Sequence, residues 1–164
     1  MGSKILVVDD ELDVVKAWAR TLRLAGHDVL FAQDARLALE LSRANPLDLI
    51  IVDYMMPSMS GIELLNEVRK EHPHIRSIVM SGKLDSSLSE DRVLLEIRGN
   101  VSADLYLHKP VDKVRLKGAV ADLLTSASEG DWKAVAENRL EAATTKTRVR
   151  AAEKVLNRRR TKKK

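Results

Sequence analysis

The stretch KILVVDDE, Lys4 to Glu11, runs four apolar residues straight into three consecutive carboxylates. A run as apolar as Ile5, Leu6, Val7 and Val8 suits a strand covered on both faces, as in parallel sheets, whereas a half-exposed strand would alternate. Asp9 and Asp10 then emerge at the strand's carboxyl end. In an open α/β sheet that edge is where ligands bind, so eight residues predict both a fold class and the position of a site.

The pattern continues outward from there. Five apolar β-type runs, near residues 4–9, 28–33, 47–53, 75–81 and 103–108, alternate with helical patterns through residue 125. That is an α/β chain of (βα)5 type, a doubly wound parallel sheet with helices on both faces. Leu12, Val15, Ala19 and Leu22, with Ala25, keep helical spacing, and the turn Ala25 to Asp28 (AGHD) stops that helix. Ala35, Leu37, Ala38 and Leu41 mark a second helix ending near Asn45 and Pro46. Ile62, Leu64, Leu65 and Val68 mark a third, opened by Gly61 and closed before Pro73. The connection Lys83 to Asp104 is the least regular, with a fourth helix predicted near Ser89 to Arg98. Val114, Val120, Leu123 and Leu124 mark the closing helix, and no internal repeat is present.

With 164 residues the chain has room for one well-buried domain and a small appendage. No cysteine is present, which excludes disulfides, thiol nucleophiles and cysteine-ligated metals and agrees with a reducing compartment. No apolar run approaches the roughly 18 residues of a membrane span, and a strand follows Met1 to Lys4 directly, so the expectation is a soluble cytoplasmic protein without a secretory signal. The net charge of +4 divides unevenly: residues 1–125 hold 16 Lys and Arg against 19 Asp and Glu, and residues 126–164 hold 12 against 5. A mildly acidic domain carries a basic tail.

The opening motif has an echo in LDLIIVDYMMPSMSG, Leu47 to Gly61, where Leu49 to Val52 lead directly into Asp53. Adjacent strands ending this way would gather Asp9, Asp10 and Asp53, whose mutual repulsion calls for a cation. With oxygen ligands only, and with His27, His72, His74 and His108 at no metal-ligand spacing, the hard ion Mg2+ is the natural candidate. The fourth strand ends in Ser81 (IVMSGK) and the fifth in Lys109 (LYLHKPVD), adding a hydroxyl and an ammonium to the same edge. Those parts can stabilise a phosphoryl group in transfer: metal and Lys109 on its oxygens, a hydrogen bond from Ser81, and one carboxylate attacking in line.

Taken in order, VVDDE, IIVDYMMPSMSG, MSG and LHKP resemble the receiver domain of bacterial two-component response regulators, over about residues 3–125. The resemblance implies a flavodoxin-like sheet of strand order 2-1-3-4-5, which makes strands 1 and 3 neighbours as Asp10 and Asp53 require. It implies that Asp53 is the phosphoacceptor, that Asp9 and Asp10 help hold Mg2+ with Asp53, and that Lys109 pairs with phosphoryl oxygens. Ser81 would bind another of those oxygens, Tyr106 would be the aromatic that changes rotamer, Met56 and Pro57 match the turn after the acceptor, and Gly82 leaves room for the donor. Met55 and Lys83 occupy two positions that the family varies to tune dephosphorylation. The segment between Ser81 and Lys109 is several residues longer than is common, from which a displaced fourth helix, and with it a displaced output face, is the expectation.

The function that the resemblance implies is a switch rather than an enzyme. Such a switch would take a phosphoryl group from a sensor histidine kinase or phosphotransfer protein and signal to a downstream protein effector through the fourth helix, fifth strand and closing helix. An aspartyl-phosphate phosphatase of another α/β family is the alternative from a different class; it needs an acid two residues beyond its nucleophile, where this chain has Met55. Trp18 is read as part of the first helix's packing surface. The expected organisation is a receiver at 1–125, a helical extension at 126–156 and a disordered basic tail at 157–164, where NRRRTKKK holds six positive charges. Ser128 with Asp131 resembles a capping box, Trp132, Val135, Ala136, Leu140 and Ala143 share one helical face, and Val149, Ala152 and Leu156 share another. The tail has three competing readings: a solvated end, an arm for acidic protein or homodimer contacts, and a weak nucleic-acid contact. The 39 residues after Thr125 are few for a winged-helix output domain, so a protein partner is favoured and a DNA-binding transcriptional regulator stands second.

Overall fold

The computed structural model describes residues 2–82 and 103–125. The helix predicted near Ser89 to Arg98, the extension and the basic tail lie outside the described residues. Five strands, β1 (Lys4–Val8), β2 (Asp28–Ala32), β3 (Leu49–Asp53), β4 (Arg76–Ser81) and β5 (Leu105–His108), form one sheet of order β2-β1-β3-β4-β5. All four pairings are parallel, with Val8 opposite Val52 and Asp53 opposite Met80. Four helices are described, α1 (Leu12–Leu24), α2 (Ala35–Ala44), α3 (Gly61–Glu71) and α4 (Lys113–Thr125). This is the doubly wound, flavodoxin-like order, and the direction in which successive strands are added reverses between β1 and β3, which opens a crevice at their carboxyl ends.

Continuous apolar runs serve both faces of the sheet. Leu6, Val8, Ile50, Val52 and Val79 form one cluster with Ala35 and Ala38 of α2 and Leu64, Leu65 and Val68 of α3. Ile5, Val7, Leu49 and Ile51, one residue out of step, are fully buried and point to the other face, where α1 packs on β1 and β2 and lies beside α4. Full burial of each such side chain stabilises the fold by about 1.5–3 kcal/mol.

Short polar contacts set where the helices begin. Asp34 accepts the Leu37 amide at 2.8 Å ahead of α2, and Asp112 accepts that of Arg115 at 2.8 Å at the start of α4. Before α3, Ser60 and Glu63 form a reciprocal capping box, the Ser60 amide donating to Glu63 Oε2 at 2.8 Å and the Glu63 amide to Ser60 Oγ at 3.3 Å. β5 is pinned at both ends: Asp104 Oδ2 accepts the Ser77 amide at 2.6 Å, and the Lys109 amide donates to the Ser81 carbonyl at 2.7 Å. That second bond carries Lys109 to the carboxyl edge.

Four apolar positions that the sequence reading puts on helical faces are exposed: Leu12, Ala25, Leu37 and Val114. Val114 is 77% exposed, because the buried face of α4 is Leu116, Ala119, Val120 and Leu123, and a residue two places before Leu116 lies about 200° around the helix. Leu37, 37% exposed, likewise sits one place before the buried Ala38. Among the described residues no helix is long and apolar enough to cross a membrane.

Candidate functional site

Asp9 follows β1, fully buried, and Asp10 beside it is exposed. Asp53 is the last residue of β3 and is only 4% exposed. One carboxylate oxygen from each of the three lies within 4.8 Å of the others, so β1 and β3 bring together the acids that their sequences end on. Ser81 closes β4, buried, one register position beyond the Met80 that faces Asp53.

Lys109 enters from the end of β5 and binds two of the acids. Its Nζ donates to Asp9 Oδ2 at 2.6 Å and to Asp53 Oδ1 at 2.9 Å. The other oxygen of Asp9 accepts the Glu11 amide at 2.9 Å, which holds that carboxylate in place. The Lys109–Pro110 peptide bond is cis.

The electrostatics follow from burial and charge count. Burial pushes the Asp53 carboxyl above the ordinary carboxylate range; Lys109 pulls it down and the charges of Asp9 and Asp10 push it up, with the balance remaining above. For Lys109 burial works against the charge, but the hydrogen bonds to Asp53 and Asp9 outweigh it and hold the ammonium above its ordinary range. Three carboxylates against one ammonium leave an excess of two negative charges, which one divalent cation would cancel. The donor set fits Mg2+: hard oxygens only, with the exposed Asp10 giving access and room for the waters that this ion retains. None of the four histidines is in this cluster.

Tyr106 does not lie at the acid cluster itself. It is half-buried in β5, packs against the core cluster on the α2 and α3 face, and its hydroxyl accepts the Ala103 amide at 3.3 Å. Two features of the site were not legible as such. Gly61 opens α3 so close to β3 that a Cβ there would lie 2.1 Å from the Asp53 carbonyl oxygen. Trp18, read as packing, is indeed buried in α1 but also turns its ring toward Lys109, whose Nζ is 5.2 Å from the ring centroid. Its helical spacing signals burial and nothing about Lys109.

Comparison with known proteins agrees with this geometry. The response regulator receiver domain model matches residues 5–121. The chain is 33% identical over 125 residues to the alkaline phosphatase synthesis transcriptional regulatory protein PhoP of Bacillus subtilis, covering 76% of this chain and 49% of that one. To the sensor histidine kinase TmoS of Ectopseudomonas mendocina it is 35% identical over 130 residues, covering 78% of this chain and 13% of that one. The chain thus spans about half or less of the length of these curated relatives. Among solved structures, a response regulator receiver domain protein from Clostridium thermocellum matches with a TM-score of 0.64 at 31% identity, over 74% of this chain and 94% of that one. The chemotaxis protein CheY4 of Vibrio cholerae matches with a TM-score of 0.65 at 26% identity, over 76% and 100%. With the family's fold, strand order and edge of acids all present over most of its length, the chain belongs to the receiver domains of two-component response regulators.

Proposed function

We propose that Asp53 is the phosphoacceptor of a signalling switch. The observation that carries this reading is the Lys109 ammonium shared between Asp9 and Asp53 at 2.6 and 2.9 Å. Asp53 Oδ2, the oxygen that Lys109 does not hold, attacks the phosphorus of a phosphohistidine on a sensor histidine kinase or phosphotransfer protein. The O–P bond forms, the P–N bond breaks, and the imidazole leaves with the electron pair. Lys109 passes its hydrogen bond from Asp53 to a phosphoryl oxygen, and the Ser81 hydroxyl donates to another. Mg2+ held by Asp9, Asp10 and Asp53 would neutralise charge on the phosphoryl oxygens and among the acids. The phosphoryl group is held on the chain after transfer, so each molecule carries one at a time. With Mg2+ and acetyl phosphate the protein should gain one acid-stable, base-labile phosphoryl group, lost in Asp53→Asn and suppressed by EDTA. Unchanged labelling of Asp53→Asn would overturn the assignment.

In this reading the new charge draws Ser81 inward and Tyr106 follows, giving up its bond to the Ala103 amide. The change reaches a downstream protein effector through the predicted fourth helix, β5 and α4, and two packings a few kcal/mol apart suffice. NMR shifts on phosphorylation should spread from Ser81 through Tyr106 to Val111; shifts confined to the surroundings of Asp53 would refute the route.

A DNA-contacting output is the second reading, supported by the basic residues 157–164 and by a relative described as a transcriptional regulatory protein. It assigns 1–125 to the receiver, 126–156 to a helical extension and 157–164 to a basic tail. DNA binding should then be weak, tolerant of sequence, and fall by about 0.9 log units per log unit of salt for each phosphate neutralised. Fluorescence anisotropy on the full chain and on one ending at Leu156 tests this, and equal affinities would remove the reading. Sedimentation in parallel tests for a homodimer, which an unchanged coefficient on phosphorylation would argue against.

A further inference from the structure

Two of the three N–H bonds of the Lys109 ammonium go to carboxylates, and an aromatic face stands beside it. Nζ stands 5.2 Å from the centroid of the Trp18 ring, inside the about 6 Å reach of a cation–π attraction, for which indole is the best partner. Both groups are largely withdrawn from water: Trp18 is 9% exposed and the Lys109 side chain 20%. Desolvation strengthens such a contact.

The three attractions differ in what phosphorylation would do to them. The bonds to Asp9 and Asp53 are directional, and they engage the same two carboxylates that a divalent cation and a phosphoryl group would engage. Attraction to a ring face is only weakly directional, so it persists while an ammonium exchanges hydrogen-bond partners. The lysine stem is flexible and its head strongly hydrated, so an ammonium released from both acids would otherwise turn outward to water. We infer that Trp18 is a positioning residue for Lys109, retaining the ammonium at the sheet edge while its hydrogen bonds pass from Asp9 and Asp53 to the incoming phosphoryl oxygens. The inference rests on Asp53 being the phosphoacceptor. It gives Trp18 a task that apolar packing alone would not require, since a core filler needs volume and not a ring face.

The sequence has two tryptophans, so the full chain carrying Trp132→Phe leaves Trp18 as the sole indole and serves as the parent. Phosphorylation by acetyl phosphate with Mg2+ is timed in the parent, in Trp18→Phe and in Trp18→Leu, with unfolding followed in each. Trp18→Leu should slow the reaction by about 3- to 30-fold, and Trp18→Phe, which keeps a π face, should restore most of the rate. A purely packing role predicts instead that rate follows stability, with the ring making no separate difference. The second readout is emission: Lys109→Met in the parent should change Trp18 fluorescence by removing the cation from its face. If Trp18→Leu does not fold, the Trp18→Phe rate and the Lys109→Met emission carry the test, a rate reduced by less than threefold and a changed emission being expected. A labelled parent whose Trp18→Leu variant reacts at the parental rate, or whose emission ignores Lys109→Met, overturns this inference alone. A parent that takes no label overturns the phosphoacceptor reading and this inference with it.

Discussion

Replacing Gly61 by alanine should destabilise the domain by about 2 kcal/mol, whereas the same replacement at Gly118 should stabilise it by about 0.5–1 kcal/mol. Both glycines are helical, in α3 and α4, so helix propensity favours alanine at each. Space separates them. A Cβ on Gly61 would lie 2.1 Å from the Asp53 carbonyl oxygen and 2.9 Å from both Asp53 C and Val52 Cγ2, while nothing stands within 4 Å of one on Gly118. The nearest obstacles are backbone, which no rotamer change can clear, so α3 must back away from β3 by about 1.3 Å to reach an ordinary 3.4 Å contact. Overpacking of this kind costs about 1–3 kcal/mol. The same retreat stretches the 3.0 Å bond from the Gly61 amide to the Tyr54 carbonyl, adding about 1 kcal/mol and roughly cancelling the propensity gain. Urea unfolding reads both variants: a loss of about 2 kcal/mol lowers the midpoint by about 1 M at a slope of about 2 kcal/mol/M, and the slope itself should not change. Because the backbone that the new Cβ presses against is that of Asp53, the Gly61→Ala phosphorylation rate should fall as well. A Gly61→Ala protein as stable as the parent, or two variants shifting in the same direction, would refute the reasoning.

Three further outcomes follow from the site. The Asp53 pKa is raised, chiefly by burial, so in Mg2+-free buffer the native state holds its proton more tightly than the unfolded chain. The resulting penalty is absent below the ordinary carboxylate range and grows as pH rises through the elevated pKa; Asp53→Asn should flatten that part of the stability profile and be more stable at neutral pH, and a less stable variant there would contradict the shift. Mg2+ should raise the melting temperature, with a gain of about 2.7 kcal/mol at a hundredfold excess over its dissociation constant. Asp10→Asn should blunt that response with little change in EDTA, since Asp10 is exposed, and an undiminished response would remove Asp10 from the ion's ligands. Met55, two residues past Asp53 and 65% exposed, presents an apolar side chain where water must approach the acyl phosphate, so Met55→Asn should speed loss of the label from phosphorylated protein; an equal or slower decay would reject a shielding role.

Which parts of this protein could be read from one strand of text depends on whether the governing physics is local. Ile5 to Val8 and Leu49 to Val52 had to be continuously apolar because parallel strands are covered on both faces, and that requirement is visible residue by residue. An acid directly after each run therefore falls at the sheet's carboxyl edge. Ser60 and Glu63 are similarly local: the Ser-x-x-Glu spacing of a capping box is in the sequence. Val114 and Leu37 failed the same kind of reading, since apolar character alone does not say which side of a helix meets the sheet.

The remaining features arise where elements distant in sequence close on one another. That Lys109 bridges Asp9 and Asp53 depends on the pairing of β5 with β4, pinned at Ser77 and Ser81. That Gly61 tolerates no side chain depends on how near α3 approaches β3. Trp18 shows the division most plainly: its spacing in α1 determines that it is buried, but only the rotation of that helix against the sheet, together with the reach of Lys109 from β5, decides that its face meets a charge. Burial is a one-body property carried by hydrophobic period. A contact between two side chains is a two-body property, and chain folding alone supplies the second partner.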